Sequence, residues 1–211
     1  MRSILITRPR YESATHYLYH WSALLVQVAR SGGNKIFDLE KKRASRKNVE
    51  SYLGKRKPSV VIFNGHGDTH SVAGQDGEEL IVSGQNADLL KGCVVFIRAC
   101  SAGKVLGLEI MKLGGTSFIG YKEPFRFYSN EKEYLSKPLE DDYARPFFEA
   151  SNQVGVSLIK GKTAKEADEN SRKVYRKIIS RLLTSNASNS FVIPDLLWNM
   201  HHQVCYQKEE K

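Results

Sequence analysis

The sequence is poor in cysteine and proline, and it has no long apolar run. Only three of its 211 residues are cysteine and six are proline. Three scattered thiols cannot form the disulfide framework of a small secreted scaffold, so we expect free thiols in a reducing compartment. No segment reaches the roughly 18 apolar residues of a membrane span, and residues 1–9 lack the features of a secretory signal. These absences predict a cytoplasmic protein with no membrane partner.

The composition that remains is that of an ordinary globular protein. Hydrophobic residues make up 41% of the chain and charged residues 26%, which is enough apolar material to fill a core. The length predicts one domain over residues 1–211. The net charge of +9 suits nucleic acid, an anionic surface or an acidic substrate. The positive residues look spread out, and their densest run, residues 41–47, is typical of a solvated helix start. Nucleic-acid binding is therefore unlikely on this reading, although the charge does not exclude it.

Short apolar runs alternate with helical patterns along the chain, which predicts an α/β fold with a mainly parallel sheet covered on both faces. The predicted strands are residues 3–7, 35–39, 59–63, 93–97 and 117–121, with a hairpin arm at 79–82. The predicted helices are residues 11–30, 45–53, 86–91, 101–113, 144–160 and 163–185. The polar stretch 122–142 is a candidate lid or processing site, although a disordered surface loop is the more usual case.

Two of these strands end in reactive residues. His66 follows the strand 59–63 and Cys100 follows the strand 93–97. In an open parallel sheet, functional groups gather at the carboxyl ends of the strands. Adjacent strands lie about 4.8 Å apart, so residues just past their ends can meet. We therefore expect the imidazole and the thiol to face each other across one edge of the sheet.

The chemistry that this pair can perform is nucleophilic catalysis by a thiolate. A free thiol is mostly protonated at neutral pH, and two features are expected to activate Cys100. It precedes the predicted helix 101–113, whose dipole favours negative charge, and His66 can take its proton. Gly65 and Gly67 allow a tight turn, and the amides of Gly67 and Cys100 are candidates for an oxyanion hole. Singly, such a cysteine is usually a small buried hydrophobe; the pairing points to catalysis.

The residues around both side chains carry a family resemblance. Residues 64–67 (Asn-Gly-His-Gly) and 98–103 (Arg-Ala-Cys-Ser-Ala-Gly) resemble the His-Gly and Ala-Cys motifs of the caspase-like cysteine peptidases of clan CD. The pattern is most similar to bacterial CHAT and gingipain-like members, and it covers residues 59–121 most clearly. The resemblance implies a caspase-like three-layer sandwich and a cysteine endopeptidase without a cofactor. It also implies a His66–Cys100 dyad, a thioester intermediate and a protein or peptide substrate. A separate activator protein is a further expectation, by analogy alone.

Three arginines are candidates for the pocket that holds the residue before the cleaved bond (P1). In this superfamily the residue two positions before the nucleophile often lines that pocket, and here it is Arg98. Arg8 and Arg10 follow the first strand, at the same predicted edge. Because a guanidinium binds a carboxylate through paired hydrogen bonds, the three predict an acidic P1 preference. The alternative is that Arg98 pairs internally with Asp68 or Asp38 and leaves the pocket neutral.

Other histidines and cysteines do not form a convincing metal site. His66 and His70 lack a second motif to complete a ligand set. The i, i+4 pair His16 and His20 lies among aromatic residues, and residues 201–205 (His-His-Gln-Val-Cys) have no CxxC partner. We predict no metal. Two rival functions stay open: a catalytically inactive caspase-like binding or scaffold module, and a metal-dependent hydrolase acting on nucleic acid.

Overall fold

A six-stranded sheet runs through the centre of the protein, whose computed structural model describes residues 2–184 and 188–208. The described strands, numbered along the chain, are β1 (Ser3–Arg8), β2 (Lys35–Glu40), β3 (Val60–Asn64), β4 (Ser71–Ala73), β5 (Glu79–Val82), β6 (Val94–Arg98), β7 (Ser117–Tyr121) and β8 (Gln203–Gln207). The sheet order is β2-β1-β3-β6-β7-β8, with β8 antiparallel and the other five strands parallel. β4 and β5 form a separate antiparallel pair.

Helices cover both faces of this sheet. They are α1 (Ser13–Ser31), α2 (Arg46–Arg56), α3 (Leu106–Lys112), α4 (Glu131–Tyr134), α5 (Arg145–Ile159), α6 (Ala164–Thr184) and α7 (Ile193–His202). The buried side chains of α1, α5 and α6 pack on one face, and those of α2 and α3 pack on the other. This confirms the predicted three-layer α/β sandwich with a mainly parallel sheet. The expected domain bounds at 1 and 211, and the expected helix end at 185, lie outside the described residues.

The central strands form where the sequence is most continuously apolar. All five residues of β3 are buried, and so are all five of β7. Successive side chains of a strand point to opposite faces. Accordingly Val61 and Phe63 pack against the α2–α3 layer, while Val60 and Ile62 pack against the α1–α5 layer. A strand buried on both faces needs this unbroken apolar pattern, which is why the parallel strands could be predicted.

The helix expected over residues 101–113 begins late. Residues 101–105 form turns, and α3 starts only at Leu106. Two amides of this turn bind carbonyls outside it. The Gly103 amide donates to the Tyr121 carbonyl at 2.8 Å, and the Ser101 amide donates to the Glu123 carbonyl at 3.4 Å. Ser101 also has a φ of +56°, in a region that a right-handed helix cannot use.

The stretch 122–142 is anchored rather than loose. On one side, the Trp198 indole donates to the carbonyl of Pro124 at 3.1 Å. On the other, the Trp21 indole donates to the carbonyl of Pro138 at 3.2 Å, and the Tyr17 hydroxyl donates to Asp141 at 2.6 Å. The expectation of a disordered loop is therefore wrong for this segment, which also contains the short α4. Within the described ranges, no helix is both long and apolar enough to cross a bilayer.

Candidate active site

Three adjacent strands deliver an acid, an imidazole and a thiol to one edge of the sheet. β3 and β6 pair in parallel with Asn64 opposite Arg98. His66 and Cys100 each follow two residues later, so their backbones leave the sheet at matching positions. β1 flanks β3 on its other side, and the turn after β1 carries Glu12. The order across the edge is therefore Glu12, His66, Cys100.

The imidazole of His66 is held by Glu12. His66 Nε2 lies 3.2 Å from Glu12 Oε1, and the two side chains are 49% and 39% exposed. An ionised carboxylate only accepts hydrogen bonds, so in the neutral form of the imidazole this contact places the proton on Nε2 and the lone pair on Nδ1. The Tyr11 ring packs edge-on against the imidazole, with centroids 6.3 Å apart. These two contacts restrict the orientation of the imidazole ring.

Glu12 itself is fixed by the start of α1. As the N-cap of this helix it accepts from the amides of Thr15 at 2.6 Å and Ala14 at 2.9 Å. Burial acts to raise the pKa of Glu12, but these amides and the neighbouring His66 outweigh it and hold the pKa below its usual range. The carboxylate therefore stays charged beside the imidazole. The sequence analysis did not identify Glu12; the capping pair that it forms with Thr15, just before an apolar helical run, was the available signal.

Two glycines make the His66 turn sterically feasible. Gly65 has a φ of +154°, and a Cβ there would lie 2.3 Å from the carbonyl oxygen of Ala73. A Cβ on Gly67 would lie 2.7 Å from the carbonyl oxygen of Ser71 and 3.0 Å from the Ala99 Cβ. The turn therefore packs tightly between β4 and the segment that leads into Cys100. This contact brings the backbones on either side of the site together.

Cys100 is half-buried and protonated in this conformation. Burial raises the pKa of the thiol, and the hydrogen bond from the backbone amide of Phe125 offsets this only in part. Because α3 begins six residues later, the expected activation by its dipole is wrong: that field acts only within the first turn of a helix. Residues 123–125 lie against the thiol and the turn that follows it.

The two amides expected to form an oxyanion hole are unoccupied by protein acceptors. Gly67 lies opposite Val72 in an isolated antiparallel bridge. The hydrogen bonds of this bridge come from neighbouring residues: the Asp68 amide donates to the Ser71 carbonyl, and the Ala73 amide donates to the His66 carbonyl. Among the described residues, neither the Gly67 amide nor the Cys100 amide donates to a protein acceptor. Both N–H groups are thus free to bind a ligand oxygen, and their role stays a prediction.

Arg98 does not line a pocket. Its side chain is fully buried, with Nε and Nη2 donating to Asn64 Oδ1 at 3.1 and 2.6 Å, and Nη1 donating to Ser151 Oγ at 3.0 Å and Asn152 Oδ1 at 2.7 Å. Burial lowers its pKa to about 10. The expected S1 role is wrong for this conformation, because no substrate carboxylate can reach the guanidinium. The alternative pairing with Asp68 or Asp38 is wrong as well.

Of the other two arginines, only Arg10 is accessible. Arg8 is 5% exposed and binds Asp38 through two hydrogen bonds of 2.8 and 2.7 Å, with a third to Glu40 at 2.8 Å. These contacts exclude the expected substrate-binding role for Arg8. Arg10 lies on the rim of an open groove of about 800 Å³ beside Glu12, where its Nε donates to His16 Nδ1 at 3.0 Å.

No metal centre is formed by the side chains that the structure describes. No group of three or more His, Cys, Asp or Glu side chains in these ranges is arranged to hold a metal ion. The rings of His16 and His20 are 4.6 Å apart, but both nitrogens of His16 are engaged, Nδ1 by Arg10 and Nε2 by the Leu135 carbonyl at 2.7 Å. The Asp68 carboxylate is used by the amides of His70 and Ser71.

The sheet order and the two helical layers define a caspase-like α/β fold. Neither a protein family nor a curated protein matches the sequence, but solved structures share the fold. The complex of RgpB pro- and mature domains from Porphyromonas gingivalis matches with a TM-score of 0.62 and 10% identity, over 98% of this chain and 47% of that one. The Arg-specific cysteine proteinase gingipain R (RgpB) matches with a TM-score of 0.57 and 13% identity, over 97% and 45%.

These similarities show the fold alone. The chain spans about half the length of the structures that it matches. Neither structure is a CHAT-domain protein, so that part of the resemblance stays a prediction. The assignment of the functional side chains depends on the geometry described above.

Proposed function

We propose that this protein is a cysteine endopeptidase in which Cys100 is the nucleophile, His66 the general base and acid, and Glu12 the residue that orients His66. The observation that supports this most is the order of the three side chains across the ends of β1, β3 and β6. Nucleophilic catalysis needs a nucleophile beside a base that a third group orients. The gingipain-like fold is consistent with it.

The reaction begins with transfer of the Cys100 proton to Nδ1 of His66. The sulfur attacks the carbonyl carbon of the peptide bond, a C–S bond forms, and the amides of Gly67 and Cys100 stabilise the oxyanion. The C–N bond breaks as His66 returns the proton to the leaving amine, which leaves a thioester. A water molecule then gives a proton to His66 and attacks the thioester, which releases the acid and restores the thiol.

The raised pKa of the Cys100 thiol gives His66 a necessary part in this reaction. In the conformation described, burial keeps the sulfur protonated, so a base must remove the proton as substrate binds. Residues 123–125 lie beside the sulfur and the turn that follows it. A separate activator protein stays a prediction by analogy alone. The three free cysteines fit the reducing cytoplasm in which we place the enzyme.

The test is cleavage of a denatured protein, with the cut sites mapped by mass spectrometry. The unaltered chain is expected to produce discrete cuts, Cys100→Ala and His66→Ala none, and Cys205→Ala the same cuts as the unaltered chain. Cleavage that survives in Cys100→Ala and stops with a chelator would favour the metal-dependent hydrolase. No cleavage by the unaltered chain, with retained binding of the denatured protein, would favour the inactive scaffold.

Specificity for an acidic P1 residue now depends on Arg10 alone. Arg8 and Arg98 are sequestered, whereas Arg10 is exposed at the groove beside Glu12. We expect fluorogenic peptides with Asp at P1 to be turned over faster than those with Arg or Ala. Arg10→Ala should remove this preference, and Lys132→Ala, in the same groove, should not. Preferential turnover after Arg, the residue for which gingipain R is named, would overturn this specificity and leave the peptidase proposal standing.

A further inference from the structure

Most of the net charge comes from one stretch of the chain, residues 41–57. It contains eight lysines and arginines and one glutamate, so it supplies +7 of the net charge of +9. The expectation that the charge is not concentrated is therefore wrong for the net charge. The stretch contributes to one surface, because a single helical turn at Lys41–Arg43 leads directly into α2.

The positive side chains of this stretch face solvent. Residues 41–43, 47 and 55–57 are exposed, while Val49 and Leu53 turn inward to the core. α2 has 11 residues, which makes it about 16 Å long. Two groups of three cations thus stand at opposite ends of α2, with Lys47 exposed between them. We call this surface, formed by residues 41–57, the basic surface.

The protein does not neutralise the basic surface itself. Arg46 pairs with Glu50 at 2.9 Å. No other lysine or arginine of the stretch has a carboxylate within 4 Å in the part of the chain that the structure describes. Among the described residues, the Arg43 guanidinium hydrogen-bonds only to the Tyr52 hydroxyl, at 3.4 Å. Unpaired cations held close together repel one another, and an external polyanion relieves that repulsion.

Half-buried aromatic rings border the basic surface, and one of them, Tyr19, lies 5.6 Å from the Lys41 ammonium. Tyr52 packs against Phe37 of the edge strand β2, with centroids 5.2 Å apart, and the Lys35 ammonium lies 5.5 Å from the Phe37 ring. No large apolar side chain of residues 35–57 is among the exposed ones. The surface therefore offers clustered positive charge without a protruding apolar anchor.

We propose that the basic surface binds nucleic acid through its phosphate backbone. A nucleic acid presents evenly spaced negative charges that spaced cations neutralise without a shaped pocket. An amphipathic membrane-binding helix inserts apolar side chains, and protein interfaces centre on buried apolar or aromatic anchors. The basic surface exposes neither kind of apolar side chain. The proposal is independent of peptidase activity.

The experiment measures binding of the protein to short labelled duplex and single-stranded oligonucleotides by fluorescence anisotropy, from about 50 to 200 mM salt. We expect the logarithm of the affinity to fall linearly with the logarithm of the salt concentration. The variant carrying Lys42→Glu, Arg43→Glu, Lys55→Glu and Arg56→Glu should bind about tenfold or more weakly, with a shallower salt slope.

A matched control carries the same charge change elsewhere. Four exposed cations of α6 are available for it, namely Lys173, Arg176, Lys177 and Arg181, and their reversal to Glu should weaken binding much less. Circular dichroism checks both folds, and the double variant Lys42→Ala, Lys55→Ala replaces the first if it fails to fold. The proposal fails if binding is absent at the lowest salt or if both variants lose affinity equally. It also fails if phosphatidylserine vesicles or an acidic peptide are bound more tightly than either oligonucleotide.

Discussion

At the scale of single residues, Glu12 links the stability of α1 to the position of the imidazole. Its carboxylate accepts from two amides of the first helical turn and from His66. Glu12→Ala removes both functions, so we expect a loss of about 1 kcal/mol in unfolding free energy from the missing cap. We also expect a fall in kcat, because His66 loses its orientation, with KM little changed. Urea unfolding and steady-state kinetics measure the two effects.

Glu12→Asp is the variant that separates these functions. Aspartate is a good N-cap, but its side chain is one methylene shorter and cannot reach His66 in the same way. Stability should recover in this variant while kcat stays low. Recovery of both quantities would show that Glu12 acts on catalysis only through the helix.

The Cys100 thiol allows a prediction on pH dependence. Burial raises its pKa, so the thiolate fraction is small at neutral pH and grows as the pH rises through the raised value. The rate of iodoacetamide labelling should therefore keep increasing above the usual thiol pKa of about 8.5. Cys93 and Cys205 should react more slowly at every pH, since burial raises the pKa of each to about 11. Peptide mapping after timed labelling measures all three.

A labelling rate for Cys100 that is already constant near neutral pH would contradict this prediction. It would mean that the sulfur exists as a preformed ion pair with the imidazole rather than as a thiol. Cys100→Ser, which removes the nucleophile but keeps the fold, serves as the blank for the mapped peptide.

The sequence correctly predicted the two strands that lead into His66 and Cys100. An apolar run fixes where each strand ends, and parallel pairing brings those ends to one edge. Arg98 was misjudged because its partners Asn64, Ser151 and Asn152 come from distant segments, and no local pattern shows that they converge. Glu12 was missed because an acidic residue before a helix ordinarily serves the helix alone.

At the scale of elements, Arg98 joins β3, β6 and α5 beneath the site. Its guanidinium has three neutral partners and stacks on Phe148, with its carbon 5.3 Å from the ring centroid. Arg98→Lys keeps the charge but lacks the planar fork of donors, so some buried acceptors lose their bonds. Each unsatisfied group costs about 1–3 kcal/mol. We expect a loss of about 2 kcal/mol or more in urea unfolding.

Arg30→Lys provides the control for that measurement. Arg30 is exposed at the end of α1, and a surface change of this kind should stay within about 0.5 kcal/mol. An Arg98→Lys protein as stable as the control would show that the buried contacts do not hold the three elements together.

The elements that escaped prediction depend on tertiary contacts. The turn at residues 101–105 has helix-compatible composition, but its amides donate to the Tyr121 and Glu123 carbonyls instead. β8 is a five-residue strand directly after α7, with glutamine at both ends, and no turn signal separates the two. Its strand conformation is imposed by pairing with β7. Such outcomes follow from neighbours in space, which a single sequence does not display.

At the scale of the whole molecule, β8 protects one edge of the sheet. It pairs along the full length of β7, and the Tyr206 ring stacks on Phe118 with centroids 5.8 Å apart. Ending the chain after His202 would leave the apolar β7 as an unpaired edge, which favours association between molecules. We expect this shortened chain to form soluble aggregates in size-exclusion chromatography and light scattering.

Tyr206→Ala is the companion variant, since it keeps the backbone pairing and loses only the side chain. It should stay monomeric but unfold at lower urea. A shortened chain that remains monomeric with unchanged unfolding would show that β8 is dispensable for closing the sheet.

The contact between Tyr206 and Gly103 has a consequence for protein synthesis. The Tyr206 hydroxyl donates to the Gly103 carbonyl at 2.9 Å, which braces the turn that follows Cys100. At ordinary translation speeds, roughly 5 to 20 seconds separate the synthesis of Cys100 from that of Tyr206. During this interval the nascent chain carries its thiol without the brace. We therefore expect the turn beside Cys100 to reach its final geometry only after Tyr206 has been synthesised.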